Sequence, residues 1–242
     1  MLWELWHGLI TPAPVWARRA GLLHQSIALE ARYRRCRAAW DGHYARCRAV
    51  IEQAAGQAVP GGTVVVLGSG LLHDLPLDVL NARFEHILLV DAVHPLSARR
   101  RARDFPRIEL IEHDLSGWLD PVAGLLRLPD DTRLAVSVNL LGQLTLPFED
   151  EEGSAPGLIA AHLSLLRQAP VACLISDTVW RTEDVHMGTR VETDPWHGVP
   201  HPDGIPVACW SWEVAPRGEI SRGQRQTHEV CAWLLQPSAA GD

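Results

Sequence analysis

The chain has 242 residues, 47% of them apolar and 21% charged, and carries a formal net charge of −7. That balance describes a globular chain with one sizeable core and excludes a disordered one. The longest apolar runs, such as Ile87–Val90, are far too short to span a bilayer. The acidic balance also speaks against general nucleic-acid binding.

All 22 basic residues are Arg, so Schiff-base chemistry and a P-loop, both of which need Lys, are excluded. The five cysteines are scattered and form no C-x-x-C pair. They read as free thiols in a reducing compartment, with Cys173, Cys209 and Cys231 in apolar runs of the core. With no basic-then-apolar export signal at the N-terminus, the expected location is the cytoplasm.

Residues 1–60 read as an N-terminal helical cap and 61–242 as the main domain. Met1 to Ala20 carries Trp3, Trp6 and Trp16 with Pro12 and Pro14, the composition of an irregular arm with aromatic anchors. Gly21 to Ala55 has a helical apolar stripe, Leu22 to Tyr33 and then Trp40, Tyr44, Val50 and Ile51. Asp41-Gly42 breaks the pattern and predicts two helices or a kink. Eight arginines lie between Ala17 and Arg48, against only Glu30 and Asp41, and read as a solvated or anion-binding face.

From Thr63 a regular alternation begins. The spacing predicts strands at Thr63–Leu67, His86–Val90, Ile108–Glu112, Leu134–Val138 and Val171–Ile175. Helices are expected from Leu71 to about Ala82, over Ser97–Asp104, partly over Trp118–Leu128, and over Pro156–Gln168. Strands separated by helices imply right-handed crossovers and a parallel sheet. Arg181–Pro206 reads as a long loop or lid. Val207–Val214 and Thr227–Leu235 form an antiparallel hairpin around Pro216–Glu219. The fold class is α/β: a three-layer α/β/α Rossmann-like sheet of about seven strands, mostly parallel.

The polar residues gather where the strands end. The first strand is apolar on both faces and runs into Gly68-Ser69-Gly70. Such a turn lets the backbone approach a ligand that a Cβ would block. Asp91 follows strand two, Asp114 strand three, Asn139 strand four and Asp177 strand five. In open α/β sheets ligands lie outside these carboxyl ends.

This layout, with its terminal hairpin, resembles the class I S-adenosylmethionine-dependent methyltransferase family from about Thr63 to Leu235. The resemblance implies S-adenosylmethionine as cofactor, S-adenosylhomocysteine as product, and methyl transfer to a small molecule. It gives Gly68, Ser69 and Gly70 the cofactor turn and Asp91 the ribose hydroxyls. Asp114 takes the adenine amine, Leu115 covers the purine, and Asn139 lies beside the methionine end and the substrate. The family's acid near the first glycine is absent, since Val66 and Leu67 stand there. Asp74 either replaces it at the cofactor's amino group or caps the following helix.

On the substrate side Asp177 and His186 are the candidates for proton transfer, with Asn139 beside them and Trp180 as a wall. His73, His94, His186, His197 and His201 match no compact metal motif, so no metal is expected. Gly68-Ser69-Gly70 is not the Gly-x-Ser-x-Gly of a hydrolase. Two alternatives remain: a scaffold that keeps the fold without activity, and an NAD(P)-dependent oxidoreductase sharing the first βαβ unit. Against the latter, His73 stands where the third glycine would be. No membrane or nucleic-acid partner is expected, and a homodimer is compatible with the sequence.

Overall fold

The computed structural model describes residues 2–117 (side chains from residue 6), 119–120, 126–146 and 154–235. In chain order it contains α1 (Leu2–Ile10), α2 (Val15–Arg19), α3 (Leu22–Gln57), β1 (Thr63–Leu67), α4 (Leu77–Arg83) and β2 (His86–Asp91). Then come α5 (Leu96–Ala102), β3 (Ile108–Glu112), β4 (Thr132–Val138), α6 (Leu141–Leu144) and α7 (Ser154–Leu166). The chain ends in β5 (Ala172–Asp184), β6 (Thr189–Thr193), β7 (Ala208–Ala215) and β8 (Gln224–Leu235). No helix among the described residues is long and apolar enough to cross a membrane.

The strand order is β3-β2-β1-β4-β5-β8-β7, with β6 paired to the far half of β5. The pairs among β1 to β5 are parallel, and β8 is antiparallel to both β5 and β7. This is the α/β Rossmann-like methyltransferase fold, with its terminal hairpin inserted beside β5. Chain direction along the sheet reverses between β1 and β4, which opens a crevice at their carboxyl ends.

β1 explains the layering. All five of its residues are buried. Val64 and Val66 pack on one face with Trp40, Ile51, Leu80 and Ala98, and so against α3, α4 and α5. Val65 and Leu67 pack on the other face with Ile159, Leu163 and Leu166 of α7. A strand with cores on both faces has no polar side, which is why its sequence runs as continuous Val and Leu.

Several elements differ from the sequence-based expectation. The expected irregular arm holds two short helices, α1 and α2, in which Trp16 is half-buried and Trp6 is exposed. Helix α3 runs unbroken through Asp41-Gly42. Gly42 is exposed and Asp41 pairs with Arg37 one turn earlier. The roughly 1 kcal/mol cost of a helical glycine is outweighed by Trp40, Tyr44 and Cys47 buried on the opposite face. That face packs into the same core as the sheet, so α3 from Cys36 onward and the sheet share one hydrophobic interior.

Helix α4 begins only at Leu77, with Pro76 at its N-cap, because Leu72 turns the chain at φ +64°. β5 does not stop at Ile175 but continues through Asp177 to Asp184. The expected loop from Arg181 therefore starts as a β5–β6 hairpin. The segment expected to be partly helical from 118 to 128, Trp118 included, falls largely outside the described residues.

Cysteine pairing is a further correction. The β7–β8 register sets Cys209 opposite Cys231, and the two form a disulfide with their Cα atoms 4.2 Å apart. Cys209 is exposed and Cys231 half-buried, so neither is a free core thiol. Cys36, Cys47 and Cys173 are free and buried. Alternation explains the miss: Cys209 lies on the face of β7 opposite to buried Trp210 and Trp212.

Most arginines of the basic stretch are committed to structure. Arg18 donates to the carbonyls of Gly8, Thr11 and Ala13, Arg32 and Arg35 meet Glu219, and Arg48 donates to the His73 carbonyl.

Trp40 is the largest side chain joining α3 to the sheet. It is fully buried, donates through Nε1 to the Val214 carbonyl at 3.0 Å, and meets Trp212 edge-on at 5.1 Å. Trp40→Ala is expected to cost about 3–5 kcal/mol in equilibrium urea unfolding. A loss below about 1 kcal/mol would contradict the shared core.

Candidate active site

A cleft of about 570 Å³ opens at the carboxyl ends of β1, β2, β4 and β5, with α3 as its outer wall. Its floor is the turn after β1. Gly68 has φ +80°, and a Cβ there would lie 2.7 Å from Leu140 Cβ and 2.8 Å from the Val138 carbonyl. Only glycine fits that backbone and that space.

Asp91 locks the turn. Its Oδ2 accepts the Gly70 N–H and its Oδ1 the Ala92 N–H, both at 2.7 Å. A carboxylate offers about four lone-pair positions, so Asp91, which lines the cleft, keeps acceptor capacity for a ligand.

Ser69 lies beneath the turn. Its hydroxyl meets His94 Nε2 at 2.9 Å, and His94 Nδ1 meets Glu112 at 3.1 Å, with Arg99 donating to the same carboxylate. Burial pushes the Glu112 carboxyl up, but the His94 hydrogen bond and the Arg99 charge outweigh it and leave its pKa below the ordinary value. The order is that of nucleophile, base and acid. Ser69 and His94 are both 0% exposed, however, so no substrate reaches them and the chain braces the turn.

Asp114 is buried and its acceptor positions are filled. Oδ1 takes the Ser116 N–H and hydroxyl, and Oδ2 takes the N–H groups of Leu119 and Asp120. Burial alone would raise its pKa; those four hydrogen bonds overcome it and hold the carboxyl below its usual value. Asp114 therefore shapes the loop from 114 to 120, and Leu115 lines the cleft beside it.

Asp74 also lines the cleft, and it is not the side-chain cap of α4, which has none. Burial pushes its carboxyl up to about 7. Beside it, Asn139 stands at φ +51°, its carboxamide 3.1 Å from both Asp74 Oδ2 and His43 Nε2.

His43 constrains this group. Trp210 Nε1–H donates to His43 Nδ1 at 3.0 Å, so the neutral ring carries its hydrogen on Nε2. Burial keeps the ring neutral, with a pKa down to about 3. When Asp74 is ionised, the Asn139 NH2 donates to it and His43 Nε2–H turns to Cys47 Sγ at 3.5 Å. When Asp74 is protonated, the Asn139 oxygen accepts from both sides. The amide orientation and the Asp74 proton are thus one coupled state.

On the β5 side, Asp177 accepts from Trp180 Nε1–H at 2.8 Å and meets His228 Nδ1 at 3.0 Å, both at Oδ2. Residues three apart face opposite sides of a regular strand. A bulge between Asp177 and Val179 restores them to one face, opposite His228 on β8. Trp180 lines the cleft as expected of a wall.

His186 does not join this group. It is exposed beyond the end of β5, beside Gly223, because β5 carries the chain away from the cleft before the hairpin turns. Among the described residues no group of three or more His, Cys, Asp or Glu side chains could hold a metal ion.

Sequence reasoning missed His43, Trp212 and His228. The first shares a helical stripe with Trp40, Tyr44 and Cys47 that reads simply as core. His228 pairs with β5 in a register that sequence does not disclose.

Asp74 makes a testable contribution to stability. Between about pH 4 and pH 7 the folded chain holds a proton that the unfolded chain has released, so this group lowers stability as pH rises. Buried His43 and His162, with pKa values down to about 3 and about 4, act in the opposite sense. Asp74→Asn should therefore make stability rise more steeply with pH than in wild type across this window. Urea midpoints from about pH 4 to 8 check it, and parallel profiles would contradict it.

No protein-family model matches the sequence, and no curated protein matches it. Among solved structures, the chain is similar to a DhpI–SAH complex at 12% identity and a TM-score of 0.45, covering 89% of this chain and 96% of that one. It is similar to the Burkholderia thailandensis 1,6-didemethyltoxoflavin-N1-methyltransferase, bound to 1,6-didemethyltoxoflavin and S-adenosylhomocysteine, at 16% identity, a TM-score of 0.42 and 91% coverage of each chain. The 23S rRNA methyltransferase ErmE is similar at 11% identity and a TM-score of 0.35, with 80% and 71% covered. By its own strand order, the chain has the Rossmann-like methyltransferase fold.

Proposed function

We propose that this chain transfers a methyl group from S-adenosylmethionine to a small molecule and releases S-adenosylhomocysteine. The observation that carries this reading is the cleft at the β1/β4 reversal, floored by a glycine turn that Asp91 holds while keeping acceptor capacity. The residues present fit the cofactor. With Asp74 ionised, Asn139 turns its NH2 to that carboxylate and its Oδ1 is buried without a partner among the described residues, and Asp74 is an acid on the same wall.

When bound, the cofactor supplies a methyl group already activated on a sulfonium. The protein's part is to orient and to exclude water. Asp91 accepts the ribose hydroxyls. Asp74 would hold the amino group as a carboxylate, its proton released to solvent, with the Asn139 NH2 turned toward it. Asp114 acts by shaping its loop so that Leu115 covers the adenine, since its own oxygens are already occupied. A small acceptor is favoured by the Trp40 and Tyr44 wall on α3 and by the net charge of −7.

Isothermal calorimetry should show binding of S-adenosylhomocysteine at one site per chain and no binding of NAD. Asp91→Ala should weaken that affinity about 10- to 150-fold, the scale of charge-assisted hydrogen bonds worth about 1.5–3 kcal/mol. Binding of NAD alone would favour an oxidoreductase, and binding of neither would favour a scaffold.

A further inference from the structure

We propose that His228 is the base that takes a proton from the methyl acceptor, and that the acceptor is a flat aromatic molecule bearing a hydroxyl or a ring N–H. This rests on the methyltransferase reading above and deepens it. Asp177 positions the ring. Its Oδ2 already receives the Trp180 indole N–H, and it faces His228 Nδ1 at 3.0 Å. A carboxylate oxygen only accepts, so the hydrogen of the neutral imidazole sits on Nδ1 and the Nε2 lone pair is bare.

That bare nitrogen is buried without a partner on a residue that lines the cleft and is 8% exposed. Asp177 Oδ1 and Trp212 Nε1 are buried without partners on the same cleft. A base, an acceptor and a donor thus stand on one cleft with no hydrogen-bond partner among the described residues. Buried polar atoms rarely stay unpaired unless a ligand or water completes them.

The ring is also fixed in place. Trp180 lies nearly parallel to it at 5.5 Å, and Trp212 meets it edge-on at 5.7 Å. Trp40 and Tyr44 line the same cleft from α3, so its wall carries several aromatic rings, which suits a flat acceptor. The nearby titratable groups are Asp177 on β5 and His43 on α3, the latter kept neutral by burial.

In the step proposed, the acceptor's proton passes to Nε2 and the electron pair of its O–H or N–H bond stays on the heteroatom, which bonds to the methyl carbon as the carbon–sulfur bond breaks and its electron pair goes to sulfur, leaving S-adenosylhomocysteine. The imidazolium is held by the Asp177 carboxylate and later loses its proton to water. An acceptor without a removable proton gains nothing from this arrangement.

Histidine-labelled, cofactor-free protein tests the orientation by long-range nitrogen–proton NMR. His228 should show the Nδ1–H tautomer at pH 8, and Asp177→Asn should shift it toward Nε2–H. An Nε2–H tautomer in wild type would overturn the assignment.

The proton transfer is tested with 4-nitrophenol as a probe in the complex with S-adenosylhomocysteine. At a pH below its free ionisation, the phenolate absorbance should rise with wild type and not with His228→Gln. No rise with wild type, or an equal rise with the variant, would overturn the base. Calorimetry on the same samples separates the two proposals. S-adenosylhomocysteine bound equally by both proteins with no phenolate signal defeats only the base. Failure of both to bind it defeats the methyltransferase reading as well.

Discussion

Two backbone N–H groups, from Gly70 and Ala92, converge on the single carboxylate of Asp91, and the cleft depends on that convergence. At the turn after β1 the ladder ends with the Gly68 and Ser69 N–H groups, which both donate to the Val90 carbonyl. Gly68 and Gly70 both stand at positive φ, where the chain is freest and its ordering costs most entropy. Asp91 offsets that cost with two charge-assisted bonds, and the buried Ser69–His94–Glu112 chain braces the turn from below. Because β1 and β2 pair in parallel from Thr63↔His86 to Leu67↔Val90, the turn and the acid arrive at the same edge without further adjustment.

The second organising element is α3. It carries Trp40, His43, Tyr44 and Cys47 on one buried face, of which Trp40 and Tyr44 also line the cleft. This double use explains the aromatic and polar mixture there. His43 is stacked on Trp212 at 3.9 Å, receives the Trp210 indole, and passes its own N–H toward Cys47 or Asn139. A neutral, fully engaged histidine of this kind relays the state of Asp74 through the Asn139 amide and performs no proton transfer of its own. His228 has one ring nitrogen held by Asp177 and the other bare, and the contrast between the two rings separates a structural histidine from a reactive one.

Much of the fold was legible in the sequence because a strand buried on both faces must be written as a continuous apolar run. β1 through β4 therefore appear within two residues of their observed bounds. Polar residues at strand ends are equally visible, which is how Asp91, Asp114, Asn139 and Asp177 came into view. What the sequence hid depends on register. The Asp177/Val179 bulge, the pairing of His228 with Trp180, and the Cys209–Cys231 disulfide all follow from how β8 aligns with its neighbours. No local propensity encodes that alignment. The continuity of α3 was hidden for another reason, since Asp41-Gly42 reads as a break unless the tertiary burial of its opposite face is known.

In the proposed function the Asp91-held turn is the floor of an S-adenosylmethionine site. A crystal structure of the chain grown with S-adenosylhomocysteine tests it most directly. The ligand should lie across the carboxyl ends of β1, β2 and β4, with both ribose hydroxyls hydrogen-bonded to Asp91 and the amino group at Asp74. A ligand bound elsewhere, or one lying in the cleft with Asp91 making no contact to it, would contradict the claim.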